Sequence, residues 1–418
     1  MKNIIIILLA MSTIEALAQF RQPINYIDYM VKVQSENLAY AAQKLEIPIA
    51  QANLRAAKVF NDPTLSVEYA YNDDHRMQMG QGLSAGLSKT FSPGKRTARI
   101  GLASSEKEMA MALLDDFFNN LRAQATRAYF EAAKQERLYE LQLSSYNSIN
   151  ELAKADSMKF VLGKITKTDA MQSRLEAGIL YNELLKAQSN MQGAYVALNV
   201  HLGSFRADTL YVPTEEAIEV GQRDFNYKEL LLIALENRAD LVAAMKNVDV
   251  ANKALKLVRQ ERNIDLDVSL GYNYNSEVRN ELAPAPKFSG MTLGVGIPLK
   301  FSNANKGAIQ AASYKAVQAE KQYQQAQIEV QTELSQNYNA YRSCCLQVEL
   351  FNKSMLDKAK AVMEGKRYSY GRGESSLLEL LNAQQTYNQV QAVYIETLFG
   401  RTLSLIDLER SAGIWDIE

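Results

Sequence analysis

The chain has 418 residues, a formal net charge of -1, 22% charged and 47% apolar residues, and a mean hydropathy of -0.24. So balanced a charge excludes nucleic acid as a partner, and so low a hydropathy excludes a bundle of membrane helices. The two cysteines, Cys344 and Cys345, are adjacent in a helical pattern that points them to different faces, which excludes a disulfide framework and leaves them as small thiols in or beside the core.

From the N-terminus, Lys2, the apolar run Ile4 to Met11 and the small-x-small string Ala16-Leu17-Ala18 predict a secretory signal peptide over 1–18, with the mature chain starting near Gln19. No cysteine follows that site, so no lipid anchor is expected. Nothing later approaches the 18 or more apolar residues of a membrane helix, and any crossing of a bilayer is left to strands.

A helix is predicted over about 27–60, then a β-hairpin over about 64–91. In it Leu65, Val67, Tyr69 and Tyr71 alternate with small or polar residues, as do Leu83, Ala85 and Leu87. Pro93-Gly94 ends the second strand. A long helix runs from Lys95 to about Met158 without proline, so its roughly 64 residues would rise roughly 95 Å. A tip at about 160–165 and a return helix to Leu202 complete a first unit spanning 19–203. The segment 204–225, with Pro213, reads as an extended linker.

The second unit, 226–413, repeats the first and is followed by a tail over 414–418. Phe91 to Gly203 maps onto Phe301 to Gly413 at a constant shift of about 210, placing Phe160, Gly163 and Asp169 on Tyr370, Gly373 and Glu379. Upstream the shift is about 201, so one hairpin connection grew by roughly nine residues. The copy contains an opening helix at about 227–262, a hairpin at about 265–301, an unbroken long helix at about 305–366, a tip at about 367–374 and a return helix. Its strands alternate as well, with Leu266, Val268, Leu270, Tyr272 and Tyr274 on one face and Asp267, Ser269, Gly271 and Asn273 on the other.

Strands of roughly nine to eleven residues, apolar on one side and polar on the other with aromatic ends, are the pattern of a barrel crossing an outer membrane. Tyr69, Tyr71, Tyr272 and Tyr274 are expected in its outer aromatic girdle, Phe91 and Phe301 in the inner one. The rods pair as antiparallel coiled-coil lanes. Four strands cannot close, and open edges in lipid cost several kcal/mol per unpaired group, so several copies must share one barrel. Three copies give twelve strands and four give sixteen; the pattern leaves both open.

These residues resemble the TolC-like outer-membrane efflux family. The resemblance rests on Ala234-Leu235-Glu236-Asn237, the Asn61-Asp62-Pro63 run, the tips Phe160-x-x-Gly163 and Tyr370-x-x-Gly373, and the string from Ser376 to Gln384, all duplicated or in order along nearly the whole mature chain. Pro93-Gly94-Lys95-Arg96-Thr97-Ala98-Arg99 is most like the heavy-metal, CzcC-like or CusC-like, branch; copy two departs from it with Asn303-Ala304-Asn305-Lys306. The resemblance implies a mainly α protein with membrane β structure, a homotrimer with a shared 12-stranded barrel and a helical tunnel. It also implies a periplasmic adaptor and an inner-membrane resistance-nodulation-division pump as partners, and metal ions as cargo. General multidrug efflux or type I secretion is the alternative duct; a periplasmic adaptor or coiled-coil structural protein is the alternative without a channel.

In that family acids after the tips face the narrow entrance, which assigns Asp169 and Glu379 to a gate, with Lys164, Lys167, Arg367 and Arg372 as the bases that restrain them. Asn382 stands where a further acid is common. Phe160, Val161 and Leu162 with Gly163, and Tyr368 and Tyr370 with Gly373, form the tips expected to dock the adaptor. His75, Met77 and Met79 alternate in the first outer hairpin, and soft ligands of that kind suit Cu(I), but a loop that merely contains them is the simpler reading, and no metal site is assigned. With two histidines and no acid-nucleophile constellation, neither catalysis nor a cofactor is expected.

Overall fold

A computed structural model describes residues 20–71, 79–203, 209–214, 221–299 and 305–417. The predicted signal peptide, His75, Met77 and Phe301 lie outside the described residues. The described elements, in order, are β1 (Phe20–Ile24), α1 (Tyr26–Glu36), α2 (Leu38–Lys44), α3 (Glu46–Ala57), β2 (Thr64–Ala70), β3 (Gly82–Phe91), α4 (Lys95–Val161) and α5 (Lys167–Val200). They continue with β4 (Thr209–Pro213), α6 (Tyr227–Asn237), α7 (Ala239–Gln260), β5 (Leu266–Asn275), β6 (Phe288–Gly296), α8 (Asn305–Leu350), a π-helical turn (Phe351–Met355), α9 (Leu356–Arg372) and α10 (Leu377–Ala412).

The chain divides into two compact units that cut across the sequence repeat. One takes the described residues up to Lys44 with Asp115–Ala239 and Gln327–Glu418; the other takes Leu45–Leu114 and Asp240–Ala326.

The first unit is helical, with a buried core that includes Tyr29, Tyr129, Tyr195, Leu198, Phe399, Leu405 and Leu408. Its tyrosines bring their hydroxyls to carbonyls, as buried phenols must: Tyr29 donates to Leu198 at 3.1 Å and Tyr129 to Ile24 at 3.0 Å. The opening helix is not continuous, contrary to the predicted span of 27–60. Asn37 adopts extended backbone, receives Tyr40 N–H on its side-chain oxygen at 2.9 Å and donates to the carbonyl of His201 at 2.9 Å, so one residue ends α1 and starts α2. Copy two breaks likewise at Arg238, whose backbone is extended and whose guanidinium meets Glu333 at 2.6 Å and the Ser411 carbonyl at 3.1 Å. The long helix of copy two is also interrupted, by the π turn, where Ser354 has φ +99°. Nor is the linker featureless: β4 pairs in parallel with β1, and Asn199 clamps it by accepting from Tyr211 N–H at 3.0 Å and donating to the Tyr211 carbonyl at 2.9 Å.

The second unit carries a four-stranded antiparallel sheet in the order β2-β3-β5-β6. The two hairpins join in the middle, β3 to β5, with Leu87 opposite Leu270. Below the sheet Lys95 pairs with Asp265 at 2.6 Å and Lys246 with Glu108 at 2.7 Å, tying the start of α4 to the second repeat.

Candidate functional site

The register sorts the sheet's side chains into rows. Leu65, Leu87, Leu270 and Leu293 form one row, Val67, Ala85, Tyr272 and Met291 the next, and Tyr69, Leu83, Tyr274 and Ser289 the third. On the other face lie Ser66, Gly86, Gly271 and Thr292, then Glu68, Ser84, Asn273 and Gly290. Strand periodicity and zero slippage between hairpins produce this segregation. The apolar face is uncovered: Leu293 is 76% exposed and Leu65 69%. At about 25 cal/mol per Å2 so large an apolar surface in water is strongly unfavourable, whereas in hydrocarbon it costs nothing. β3, β5 and β6, of 10, 10 and 9 residues, match the span of a bilayer crossing. Tyr69, Tyr71, Tyr272, Tyr274 and Phe91 are all exposed. Met79 is exposed too, its sulfur 4.0 Å from Asn280 Nδ2, and no group of three or more His, Cys, Asp or Glu fit to hold a metal occurs among the described residues. Nor is any described helix long and apolar enough to cross a membrane.

The helical turns lie in the first unit and are built alike. After α4, Gly163 takes φ +71°, Lys164 N–H donates to the Lys159 carbonyl at 2.8 Å and Gly163 N–H to Phe160 at 2.8 Å. After α9, Gly373 takes φ +78°, Glu374 N–H donates to Ser369 at 2.9 Å and Gly373 N–H to Tyr370 at 3.1 Å. A left-handed residue in this closing pattern favours glycine, since a Cβ there is strained. Both return helices then start on a hydroxyl: Thr166 accepts from Asp169 N–H at 3.1 Å, and Ser376 from Glu379 N–H at 3.3 Å.

The acids at these equivalent positions are held differently. Asp169 turns back on its own cap, accepting from Thr166 Oγ1 at 2.7 Å, and no ion pair joins it to Lys164 or Lys167 among the described residues. Glu379 is exposed and pairs with Lys366 at 2.5 Å, a residue the sequence reading passed over; this lysine holds its carboxyl below the usual range. Arg372 meets Glu374 at 3.2 Å and the Tyr368 hydroxyl at 2.8 Å, and Arg367 lies in a small cleft beside Glu151.

One buried link between the repeats was not anticipated. Asp156 on α4 is wholly buried, and Tyr370 on α9 donates its hydroxyl to Asp156 Oδ1 at 2.9 Å. Lys159 approaches the same oxygen at 3.3 Å and sits over the Tyr370 ring at 4.4 Å. Burial, and then the carboxylate, push the Tyr370 phenol upward, so it remains a donor. Beneath lie Ile149, Ala153, Ala177, Leu180, Leu377 and Leu381, contributed by helices of both repeats. Tyr370, expected at the docking tip, is half-buried and turns its hydroxyl to Asp156, while Tyr368, Phe160, Val161 and Leu162 are exposed. A cleft of about 700 Å3 opens between the turns, lined by Lys164, Thr166, Asp169, Arg372 and Ser375 among others.

Membrane strands with a small-residue polar face, joined in sequence to long helices that reverse at charged turns, define a channel subunit and not an enzyme. The model of the family described as outer membrane efflux protein matches residues 230–413. Over 379 residues the chain is 24% identical to the cobalt-zinc-cadmium resistance protein CzcC of Cupriavidus metallidurans, covering 90% of this chain and 86% of that one. Over 388 residues it is 20% identical to the outer membrane protein TolC of Vibrio cholerae, covering 90% and 87%. A crystal structure of CusC superposes with a TM-score of 0.76 at 16% identity over 93% of this chain and 92% of that one. The family match thus falls on the second repeat, the likeness to the two relatives extends over nine-tenths of the chain, and the place of the protein is the outer membrane.

Proposed function

We propose that three copies of this chain form the exit duct of a tripartite efflux system, closed at the helical turns and opened when a periplasmic adaptor engages them. The observation that carries this reading is the bare apolar face of a sheet whose edge strands, β2 and β6, each have one unpaired side. In lipid those edges cost several kcal/mol per group until neighbouring copies supply the missing partners. Three copies close twelve strands, the number that the family resemblance supplies.

The gate is the inter-repeat link Tyr370–Asp156, backed by Lys366–Glu379. Around a threefold axis Asp169 and Glu379 repeat as rings of carboxylate that favour cations. Exposed Val161, Leu162 and Tyr368, with Phe160 and the tip glycines Gly163 and Gly373, offer the adaptor an apolar surface. The pump is of the resistance-nodulation-division class and the cargo a divalent or monovalent metal ion; likeness to CzcC supports that cargo.

A deletion strain tests this directly. Loss of tolerance to cobalt, zinc, cadmium or copper with unchanged drug tolerance is expected; a broad drug phenotype moves the duct to multidrug efflux. Purified protein that stays monomeric without detergent and conducts nothing in planar lipid films removes the channel reading altogether.

A further inference from the structure

One charge interrupts the apolar face of the sheet. Lys89 stands opposite Val268, which stands opposite Val295, one step from the strand end where β3 leads into α4. A lysine is costly in mid-bilayer and nearly free of penalty near the interface, so its position places this end of the strand at headgroup level. Its ammonium lies 5.8 Å from the centre of the Phe60 ring and 5.7 Å from that of Phe91. Arg96 joins it on Phe60 at 4.0 Å, its guanidinium fixed by donating to the Lys58 carbonyl at 3.0 and 2.7 Å. Phe60 itself is exposed.

The neighbouring Lys95 is neutralised by Asp265, but among the described residues no carboxylate pairs with Lys89 or Arg96. Two unneutralised cations on one exposed ring, at the edge of a surface made for acyl chains, are complementary to a phosphate that carries such chains. Arginine adds the forked geometry that phosphate oxygens accept. The arrangement occurs in one repeat only: the positions matching Phe60 and Lys89 in copy two are Glu261 and Leu299. We propose that Lys89 and Arg96, gathered on Phe60, bind the phosphate of an anionic phospholipid at the helical end of the sheet. This rests on the channel reading, in which the apolar face meets lipid.

Native mass spectrometry of the detergent-extracted oligomer, titrated with phosphatidylglycerol or phosphatidylethanolamine, tests it. Each cation contributes on the order of fivefold in headgroup affinity, so Lys89→Ala with Arg96→Ala should lower phosphatidylglycerol retention roughly twenty-five-fold and leave phosphatidylethanolamine unmoved. Lys89→Arg with Arg96→Lys should keep it. Undiminished retention in the double alanine variant, equal retention of both lipids by the wild type, or displacement by millimolar glycerol phosphate without acyl chains overturns the proposal. Lys89→Gln alone, which keeps most of the stem over the rings, should show the single fivefold loss and guards against misfolding of the double variant. A double variant that still conducts yet retains its lipid sinks only this site, whereas wild-type protein that neither inserts nor conducts sinks the channel.

Discussion

At the turn after Val161 and the turn after Arg372 the chain writes the same hydrogen bonds twice, on glycines of φ +71° and +78°, yet the side chains around them have parted company. The first turn is self-contained, its acid folded back onto Thr166. The second reaches out: Tyr370 crosses to Asp156 in the other repeat and Glu379 to Lys366 in its own. The two copies share the backbone device, whereas the contacts proposed above as a latch start from the second copy alone.

The largest test of that asymmetry is Tyr370→Phe. A hydrogen bond to a charged acceptor is worth about 1.5–3 kcal/mol, so the closed-to-open ratio should fall roughly ten- to a hundredfold. Single-channel recordings in planar bilayers read it directly, and an unaltered open probability would falsify the latch. Next come Gly163→Ala and Gly373→Ala. Nothing lies within 4 Å of a Cβ at either glycine, so only backbone strain opposes the change, on the order of 1 kcal/mol. Equal downward shifts in the thermal midpoint of the oligomer are expected; a clear inequality would break the equivalence of the turns.

The smallest effect belongs to Glu379→Gln, because the ion pair it removes is exposed and screened by salt. Lys366 depresses this carboxyl, so the link is intact above the usual carboxylate range and disappears as pH falls through the depressed value. Wild-type channels should therefore loosen slightly on strong acidification at low salt, and the Gln variant should show no such step.

Much of this was legible beforehand because it is periodic. Alternation along Leu65, Val67 and Tyr69, or Leu266, Val268 and Leu270, announces a strand face wherever the strand is placed, and a matched glycine after each rod announces its turn. The latch has no such signature: Asp156 sits among many charged residues of a long helix, 214 positions from Tyr370, and only tertiary packing singles it out. Lys366 was passed over for the same reason, as one base among Arg367 and Arg372 whose facing depends on a fraction of a helical turn. The breaks at Asn37 and Arg238 escaped because no proline or glycine marks them; they are made by side-chain bonds to distant segments. The strand β4 is five residues long, too short for alternation to speak.

The middle of the sheet has a consequence of its own. The β3–β5 seam is an edge-to-edge union of two near-duplicate hairpins, and in the channel proposed above β6 makes a similar union with β2 of the next subunit. Covalent continuity across that seam supplies nothing the backbone ladder does not already provide. In that proposed ring, six separate half-length chains would present the same twelve strands as three whole ones.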